Sequence, residues 1–237
     1  LSSKDGTLMV SVLEFMPNKT LDHYVKQLDG SPPDENLIVS MAMDVLRGLI
    51  SIHEKGVVHK DIKCANILRG ASGFKITDFG IAVMDESATS NVSDTMNTQQ
   101  IRTVGTPNYM SLEQHMGQSV SYPADLYSLG IVMYRCLSGV FPYGEKAPSS
   151  QAILFALFQT TSLPPIDNVS SELFLIVTKA LQKQVADRYS TATQMLTALQ
   201  NIQVRQQRKP YVFLSYRRSH SGSARSFKME LETLGYK

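Results

Sequence analysis

Two short stretches decide the fold of this 237-residue chain: HKDIKCANIL at residues 59–68 and DFG at residues 78–80. The first stretch holds a carboxylate at Asp61, a cation two residues later at Lys63, and an amide five residues after the carboxylate at Asn66. A helix-like pattern precedes this stretch and a strand-like run follows it, so its polar groups fall in one predicted loop. The second stretch places Asp78 directly after a predicted strand.

These residue types fit the chemistry of phosphoryl transfer from a nucleotide. That reaction needs a divalent metal on the phosphate oxygens, a carboxylate that orients and deprotonates the attacking hydroxyl, and a cation near the transferring group. Mg²⁺ prefers hard oxygen ligands and keeps several waters, so one carboxylate and one amide oxygen suffice. We therefore predict that Asn66 and Asp78 are the metal ligands. Asp61 is then the base and Lys63 the cation, and the 17 residues from Asp61 to Asp78 leave room for two strands and a turn.

The rest of the chain predicts a few short strands among longer helices. An apolar run, LMVSVLEFM at residues 8–16, is typical of a buried strand. Helix-start residues at 31–34 precede apolar residues at helical spacing as far as Ile52, which predicts a long helix with one buried face. The other predicted elements are strands at 57–58, 66–68 and 74–77, an exposed loop at 85–100, and helices from Asp125, Ser170 and Thr191.

The ordered series of motifs resembles the protein kinase family. His-Lys-Asp…Asn followed by Asp-Phe-Gly is similar to the catalytic and metal-binding loops of that family. Four more stretches resemble parts of the family. Residues 12–16 resemble the strand and hinge that meet adenine, and residues 105–113 resemble the substrate-binding loop with its Ala-Pro-Glu element. Residues 125–130 resemble a buried helix, and residues 187–188 contain a late arginine. The resemblance covers residues 1–204. It implies an α+β, kinase-like fold, with a mainly helical C-terminal lobe, the hinge and the last strand of the small lobe.

The resemblance also implies an ATP site, a Mg²⁺ cofactor and a protein substrate. Glu14 and Met16 would offer backbone hydrogen bonds to adenine. Leu13 would be the gatekeeper and Leu68 the apolar floor beneath the base.

One pair of residues resembles serine/threonine rather than tyrosine kinases: Lys63 in the catalytic loop and Thr106 in the peptide-binding loop. A Thr106 hydroxyl that bridges Asp61 and Lys63 would fix both side chains around a small alcohol nucleophile. The resemblance therefore implies that Thr106 belongs to the catalytic group.

Seven further positions have structural or regulatory roles by resemblance: His59, Lys60, Phe79, Gly80, Glu113, Asp125 and Arg188. Asp125 would hold the backbone of the catalytic loop, and Glu113 would form a buried ion pair with Arg188. Lys60 replaces the arginine that usually grips a phosphorylated activation loop, and lysine lacks the two-pronged guanidinium. Lys60 therefore weakens the case for control by phosphorylation of Ser and Thr residues between 89 and 103.

Other parts of the family's pattern are not found in the chain. Nothing resembles the Gly-rich phosphate loop or the early-strand lysine with its glutamate partner. We therefore expect residues 1–237 in isolation to be inactive or nearly so. The alternative hypothesis is a signalling scaffold, in which a kinase-like lobe binds partners without phosphoryl transfer. The filled base and metal positions argue against that alternative.

The C-terminal part has a different character. Residues 205–237 carry eight basic and two acidic side chains. We interpret residues 205–210 as a linker and YVFLSY at 211–216 as a strand, followed by a helix within 224–235. Residues 211–237 resemble the opening of a Toll/interleukin-1 receptor (TIR) domain, which has a flavodoxin-like fold, and imply TIR-domain partners. An unrelated strand–helix unit remains the alternative.

The composition excludes several classes of protein. With 43% hydrophobic and 19% charged residues, the chain is ordinary for a globular protein and unlike a disordered one. Two cysteines cannot form a disulfide framework, which favours a reducing, cytoplasmic location. We expect no membrane-spanning segment, and no nucleic-acid partner because the basic residues are dispersed.

Overall fold

The computed structural model describes residues 20–26, 34–71, 73–78, 83–84, 107–144, 150–207 and 226–231. The helices described up to residue 207, in chain order, are α1 (Leu21–Lys26), α2 (Glu35–His53), α3 (Leu112–His115), α4 (Tyr122–Ser138), α5 (Ser150–Gln159), α6 (Ser171–Ala180) and α7 (Ala192–Gln207). Short 3-10 helices are found at Cys64–Asn66, Pro107–Tyr109 and Val185–Asp187. The described residues therefore form a mainly helical unit, as the sequence predicts.

In the part of the chain that the structure describes, four short strands make two small antiparallel sheets. Strand β1 (Val57–Val58) pairs with β4 (Val83–Met84), and β2 (Ile67–Gly70) pairs with β3 (Gly73–Ile76). The β2–β3 register places Ile67 opposite Ile76. Residues 59–66 precede β2 and Asp78 follows β3. Because the two strands are antiparallel, the hairpin brings the end of the first motif and the start of the second to the same end of the sheet.

Helix α2 forms because a capped start precedes apolar residues at helical spacing. The Asp34 side chain accepts hydrogen bonds from the backbone of Asn36 and Leu37, which satisfies two free N–H groups of the first turn. The apolar stripe of the helix is buried, and α2 packs against α4 and α7. After His53 the chain turns at Gly56, whose φ of 72° suits glycine.

Helix α2 is also the described helix that is long and apolar enough to span a membrane by length and composition alone. The sequence was expected to contain no membrane-spanning segment, and α2 meets the length and composition criterion all the same. The core helix of a globular domain meets the same criterion, and α2 carries Asp44 and Arg47 near its centre. Its apolar stripe is buried against the other helices.

Helix α4 is the most buried element. Almost every residue from Pro123 to Leu137 is buried. The helix ends at Gly139, which has a left-handed φ of 78° and donates its N–H to the Arg135 carbonyl. Gly130 allows α6 to lie close, because a Cβ there would be 3.0 Å from the Ala180 Cβ.

The C-terminal helices begin at the predicted residues. Ser170 caps α6 by accepting the N–H of Leu173, and Thr191 accepts the N–H of Gln194 at the start of α7. Helix α7 continues to Gln207, which is three residues into the predicted linker. Residues 226–231 are helical, within the helix predicted at 224–235. The predicted strands at 8–16 and 211–216 lie outside the described residues.

Candidate functional site

The loop between β1 and β2 brings Asp61, Lys63 and Asn66 together. The Lys63 Nζ lies 2.6 Å from the Asp61 Oδ2. The Asn66 Nδ2 donates to the Asp61 carbonyl oxygen at 2.9 Å and to its Oδ2 at 3.1 Å. Asp61 and Asn66 are buried, at 4% and 5% exposure, so the loop holds the carboxylate in one orientation.

Thr77 connects this loop to the end of β3. Its N–H donates to the Asn66 carbonyl at 2.9 Å, and its carbonyl accepts from the His59 Nε2 at 3.2 Å. Asp78 is the next residue, and its side chain is exposed. Asp61 and Asn66 therefore belong to one hydrogen-bonded unit with Thr77, and Asp78 is the residue that follows this unit.

The donor set fits a hard cation. The Asn66 amide nitrogen is engaged by Asp61, which leaves its oxygen as the atom that can face a metal ion. Asp78 has a φ of 65°, a strained conformation for a residue with a side chain, and such strain concentrates at functional sites. Among the described residues, no group of three or more His, Cys, Asp or Glu side chains is arranged to hold a metal. One carboxylate and one amide, completed by phosphates and water, match Mg²⁺.

Asp125 of α4 anchors the start of the loop from beneath. Its Oδ2 accepts the His59 N–H at 2.9 Å, and its Oδ1 accepts the Lys60 N–H at 2.8 Å. The carboxylate is completely buried. Helix α4 begins at Tyr122, three residues before the predicted start at Asp125, so Asp125 lies in its first turn. Lys60 has a left-handed φ of 66°, a conformation that persists where surrounding contacts impose it.

His53 is a site residue that the sequence analysis missed. Its Nε2 lies 2.8 Å from the Asp125 Oδ2, and its ring stacks on Tyr122 with centroids 4.5 Å apart. The local sequence carries no signal of this contact, because the partner is 72 residues away. His53 therefore joins the end of α2 to the residue that anchors the catalytic loop.

Glu113 and Arg188 form a two-pronged ion pair. The Arg188 Nη1 and Nη2 each lie 2.8 Å from a Glu113 carboxylate oxygen, and both residues are buried. Arg188 also donates to the carbonyls of Gln182 and Lys183. Burial raises the pKa of Glu113, but the hydrogen bonds and charge of Arg188 outweigh burial and hold that pKa below its ordinary value. The pair ties α3 to the segment before α7.

Cys64 lies between Asp61 and Asn66 and is fully buried. A hydrogen bond with the Cys136 thiol lowers the pKa of Cys64, while burial acts in the opposite direction. The loop thus packs directly on α4 at this position, through a small buried side chain.

The remaining predicted positions divide into two sets. Leu68 is half-buried in β2, opposite Lys75, and forms an isolated bridge with Thr20. The others lie outside the described residues: Leu13, Glu14, Met16, Phe79, Gly80 and Thr106. The candidate phosphorylation sites between residues 89 and 103 also lie outside them.

Comparison with known proteins gives the chain a family context. The protein kinase domain model matches residues 2–199, and so does not reach residues 211–237. A probable serine/threonine-protein kinase of Clostridium perfringens is 34% identical over 81% of this chain and 27% of its own length. Serine/threonine-protein kinase PknB of Mycobacterium leprae is 36% identical over 80% of this chain and 30% of its own length. The mitogen-activated protein kinase kinase SIPKK of Nicotiana tabacum is 34% identical over 78% of this chain and 52% of its own length.

The chain spans less than a third of the length of these two bacterial relatives and about half of the tobacco protein. Residues 2–199, which the protein kinase domain model matches, include the loop of residues 59–66, the hairpin after it, and both Glu113 and Arg188.

Proposed function

This chain belongs to the protein kinase family, and on that premise we propose that its protein transfers the γ-phosphoryl group of ATP to serine or threonine hydroxyls of another protein. The names of the bacterial relatives, which are serine/threonine-protein kinases, support this proposal. The observation that carries it is the hydrogen-bonded unit of Asp61, Asn66 and Thr77, because Asp78 directly follows Thr77.

In the proposed reaction, Asp61 orients the substrate hydroxyl and takes its proton. Its orientation is set by the 2.6 Å contact with Lys63 and the hydrogen bonds from Asn66. The Lys63 ammonium stabilises negative charge on the transferring phosphoryl group. The hydroxyl of Thr106 bridges Asp61 and Lys63, by resemblance to serine/threonine kinases.

Asp78 and the Asn66 amide oxygen would hold Mg²⁺, which when bound neutralises charge on the phosphate oxygens of ATP. The adenine site is assigned by resemblance to the backbone of Glu14 and Met16, with Leu13 as gatekeeper and Leu68 as floor. The half-buried position of Leu68 on β2, directly after the catalytic loop, supports its part of this assignment.

Replacement of the base tests the proposal. In the full-length protein that carries this chain, Asp61→Asn should lower turnover by about 10²- to 10⁴-fold, because a general base contributes that much. Affinity for ATP should stay close to that of the wild type, since Asp61 faces the hydroxyl. The matched control is Asp167→Asn, the same change at an exposed turn, which should keep wild-type turnover. A wild-type protein that binds partners but transfers no phosphate would instead support the scaffold alternative.

We also propose that residues 211–237 begin a TIR-like domain that recruits TIR-domain partners. The apolar run at 211–216 and the helix at 226–231 support a strand–helix unit. An experimental structure of the full-length protein should show residues 211–216 as a strand of a parallel sheet, with residues 226–231 in the helix that follows. A tail that joins no such sheet would contradict this assignment.

A further inference from the structure

Gln114 lies where the substrate side of the site meets the catalytic loop. It follows Glu113 in α3, and the buried pair between Glu113 and Arg188 fixes the position of that short helix. Gln114 is half-buried and has no role in the assignments above. The ion pair of Glu113 and Arg188 therefore fixes the backbone position of Gln114, and the Gln114 side chain takes no part in that pair.

The Gln114 amide makes hydrogen bonds in two directions. Its Oε1 accepts the Ser111 N–H at 3.0 Å and the Ser111 hydroxyl at 3.1 Å. Its Nε2 donates to the Lys60 carbonyl at 3.0 Å. Ser111 is completely buried, and Lys60 is 54 residues away along the chain. One side chain thus connects the segment that follows the predicted peptide-binding loop to the residue before Asp61.

The Lys60 carbonyl belongs to the peptide unit that carries Asp61. The N–H of that unit donates to the His59 Nδ1 at 3.3 Å, and the preceding N–H is held by Asp125. Lys60 itself has the left-handed φ of 66°. The Gln114 contact therefore holds the carbonyl of a strained unit, and rotation of that unit would move the Asp61 carboxylate.

We infer that Gln114 is a positioning residue for phosphoryl transfer, whose amide sets the orientation of Asp61 by joining the Lys60 carbonyl to Ser111. This inference rests on the proposed function, because it assigns Asp61 as the base. A primary amide suits the role since it donates and accepts at the same time. A carboxylate at this position keeps the acceptor for Ser111 but turns an acceptor towards the Lys60 carbonyl.

The different effects of an amide and a carboxylate at position 114 distinguish a role in positioning Asp61 from a role in capping α3 alone. In the full-length protein, Gln114→Glu keeps the contact to Ser111 and loses the one to Lys60, whereas Gln114→Met loses both. We expect each variant to lower kcat by about ten- to a hundredfold, because small displacements of a catalytic group have effects of this size. The KM for ATP should change by less than about twofold, since the nucleotide contacts are elsewhere. The matched control is Gln118→Glu, an exposed residue near the end of α3, and it should behave as wild type.

Amide hydrogen exchange of peptides covering residues 59–66 gives a second readout, and it should be faster in Gln114→Glu than in Gln118→Glu. The inference is overturned if wild-type protein is active and Gln114→Glu has unchanged kcat, or if only Gln114→Met is impaired, which would indicate capping alone. A parallel loss of ATP binding and thermal stability would also overturn it, because that result indicates a structural role. Inactive wild-type protein would instead contradict the proposed function on which the inference rests.

Discussion

Single residues in this site act through contacts to backbone groups far away in sequence. Asp125 accepts the N–H groups of His59 and Lys60, and Thr77 binds the backbone of Asn66. Each contact fixes a peptide unit beside a residue that the proposed reaction uses. We therefore expect the proposed chemistry to depend on Asp125 and Thr77 as well as on the residues assigned to nucleotide and substrate.

The pair of Glu113 and Arg188 gives a prediction at this scale. Glu113→Gln leaves a buried guanidinium without its anion, so the kinase domain should lose about 3–5 kcal/mol of stability at neutral pH. Arg188→Met should cost a similar amount. The double variant should lose less than the sum of the two, because neither charge is left alone. Denaturant unfolding measures all four proteins, and strictly additive losses would contradict a coupled pair.

The stability difference between wild type and Glu113→Gln should depend on pH, because the pKa of Glu113 is lowered in the folded protein. A group whose pKa is lower in the folded state stabilises the protein above its unfolded pKa of about 4.3, and this contribution disappears as the pH falls through the folded value. The stability difference between wild type and Glu113→Gln should therefore shrink at acidic pH. A difference that is constant down to acid unfolding would show that Glu113 is not ionised in the fold.

Among the elements, the β2–β3 hairpin positions Asp78 relative to Asn66. The start of β3 is held against α2, where the Asp44 Oδ2 accepts the Phe74 N–H at 3.0 Å. Gly73 has a φ of 125°, and a Cβ there would lie 2.4 Å from the same carboxylate oxygen. Only glycine allows Asp44 to lie this close to the backbone of residue 73, so the packing of α2 against the hairpin requires glycine at this position.

Replacement of Gly73 tests whether the close contact with Asp44 requires glycine. Gly73→Ala should destabilise the domain by about 1–3 kcal/mol from backbone strain, with an added cost from the contact with Asp44. Gly56→Ala is the matched control, because Gly56 also has a positive φ, of 72°, but a Cβ there meets nothing within 4 Å. Thermal unfolding of both variants measures the difference. Equal losses would show that the approach of Asp44 is unimportant.

Several elements could be predicted from the sequence because their causes are local. Asp34, Ser170 and Thr191 are capping residues directly before apolar periodicity, and the structure has helices after each of them. The contacts of His53 and Gln114 were not predicted. Their partners lie 72 and 54 residues away, and no motif of the resemblance links them, whereas one links Glu113 to Arg188 across 75 residues. Helix α7 passes the predicted linker boundary because the polar residues from Arg205 to Gln207 are themselves good helix formers.

For the whole molecule, the described residues contain the base and metal-ligand candidates on a helical lobe. The parts that clamp the phosphates from the other side in active kinases are a Gly-rich loop, a lysine and its glutamate partner. The sequence of residues 1–237 contains nothing that resembles them. By this resemblance, we expect residues 1–237 alone to supply one half of the proposed nucleotide site.

Because nothing in residues 1–237 resembles those phosphate-clamping parts, we predict a low activity for these residues alone. Residues 1–237 purified alone should transfer phosphate at a rate at least about a hundredfold below that of the full-length protein, because positioning and electrostatic stabilisation of the phosphates supply most of the catalysis. Radiolabelled phosphate transfer to a general protein substrate measures both, and circular dichroism of the fragment checks that it is folded. Robust transfer by the folded fragment would contradict the prediction.

The most direct test of the central account compares the two carboxylates in the full-length protein. Mg²⁺-dependent ATP binding, measured by calorimetry, should weaken at least about tenfold in Asp78→Asn, because a metal ligand is lost. In Asp61→Asn the same binding should be close to wild type. An Asp78→Asn variant that binds Mg²⁺ and ATP as tightly as wild type would contradict the assignment of Asp78 and Asn66 as the metal site.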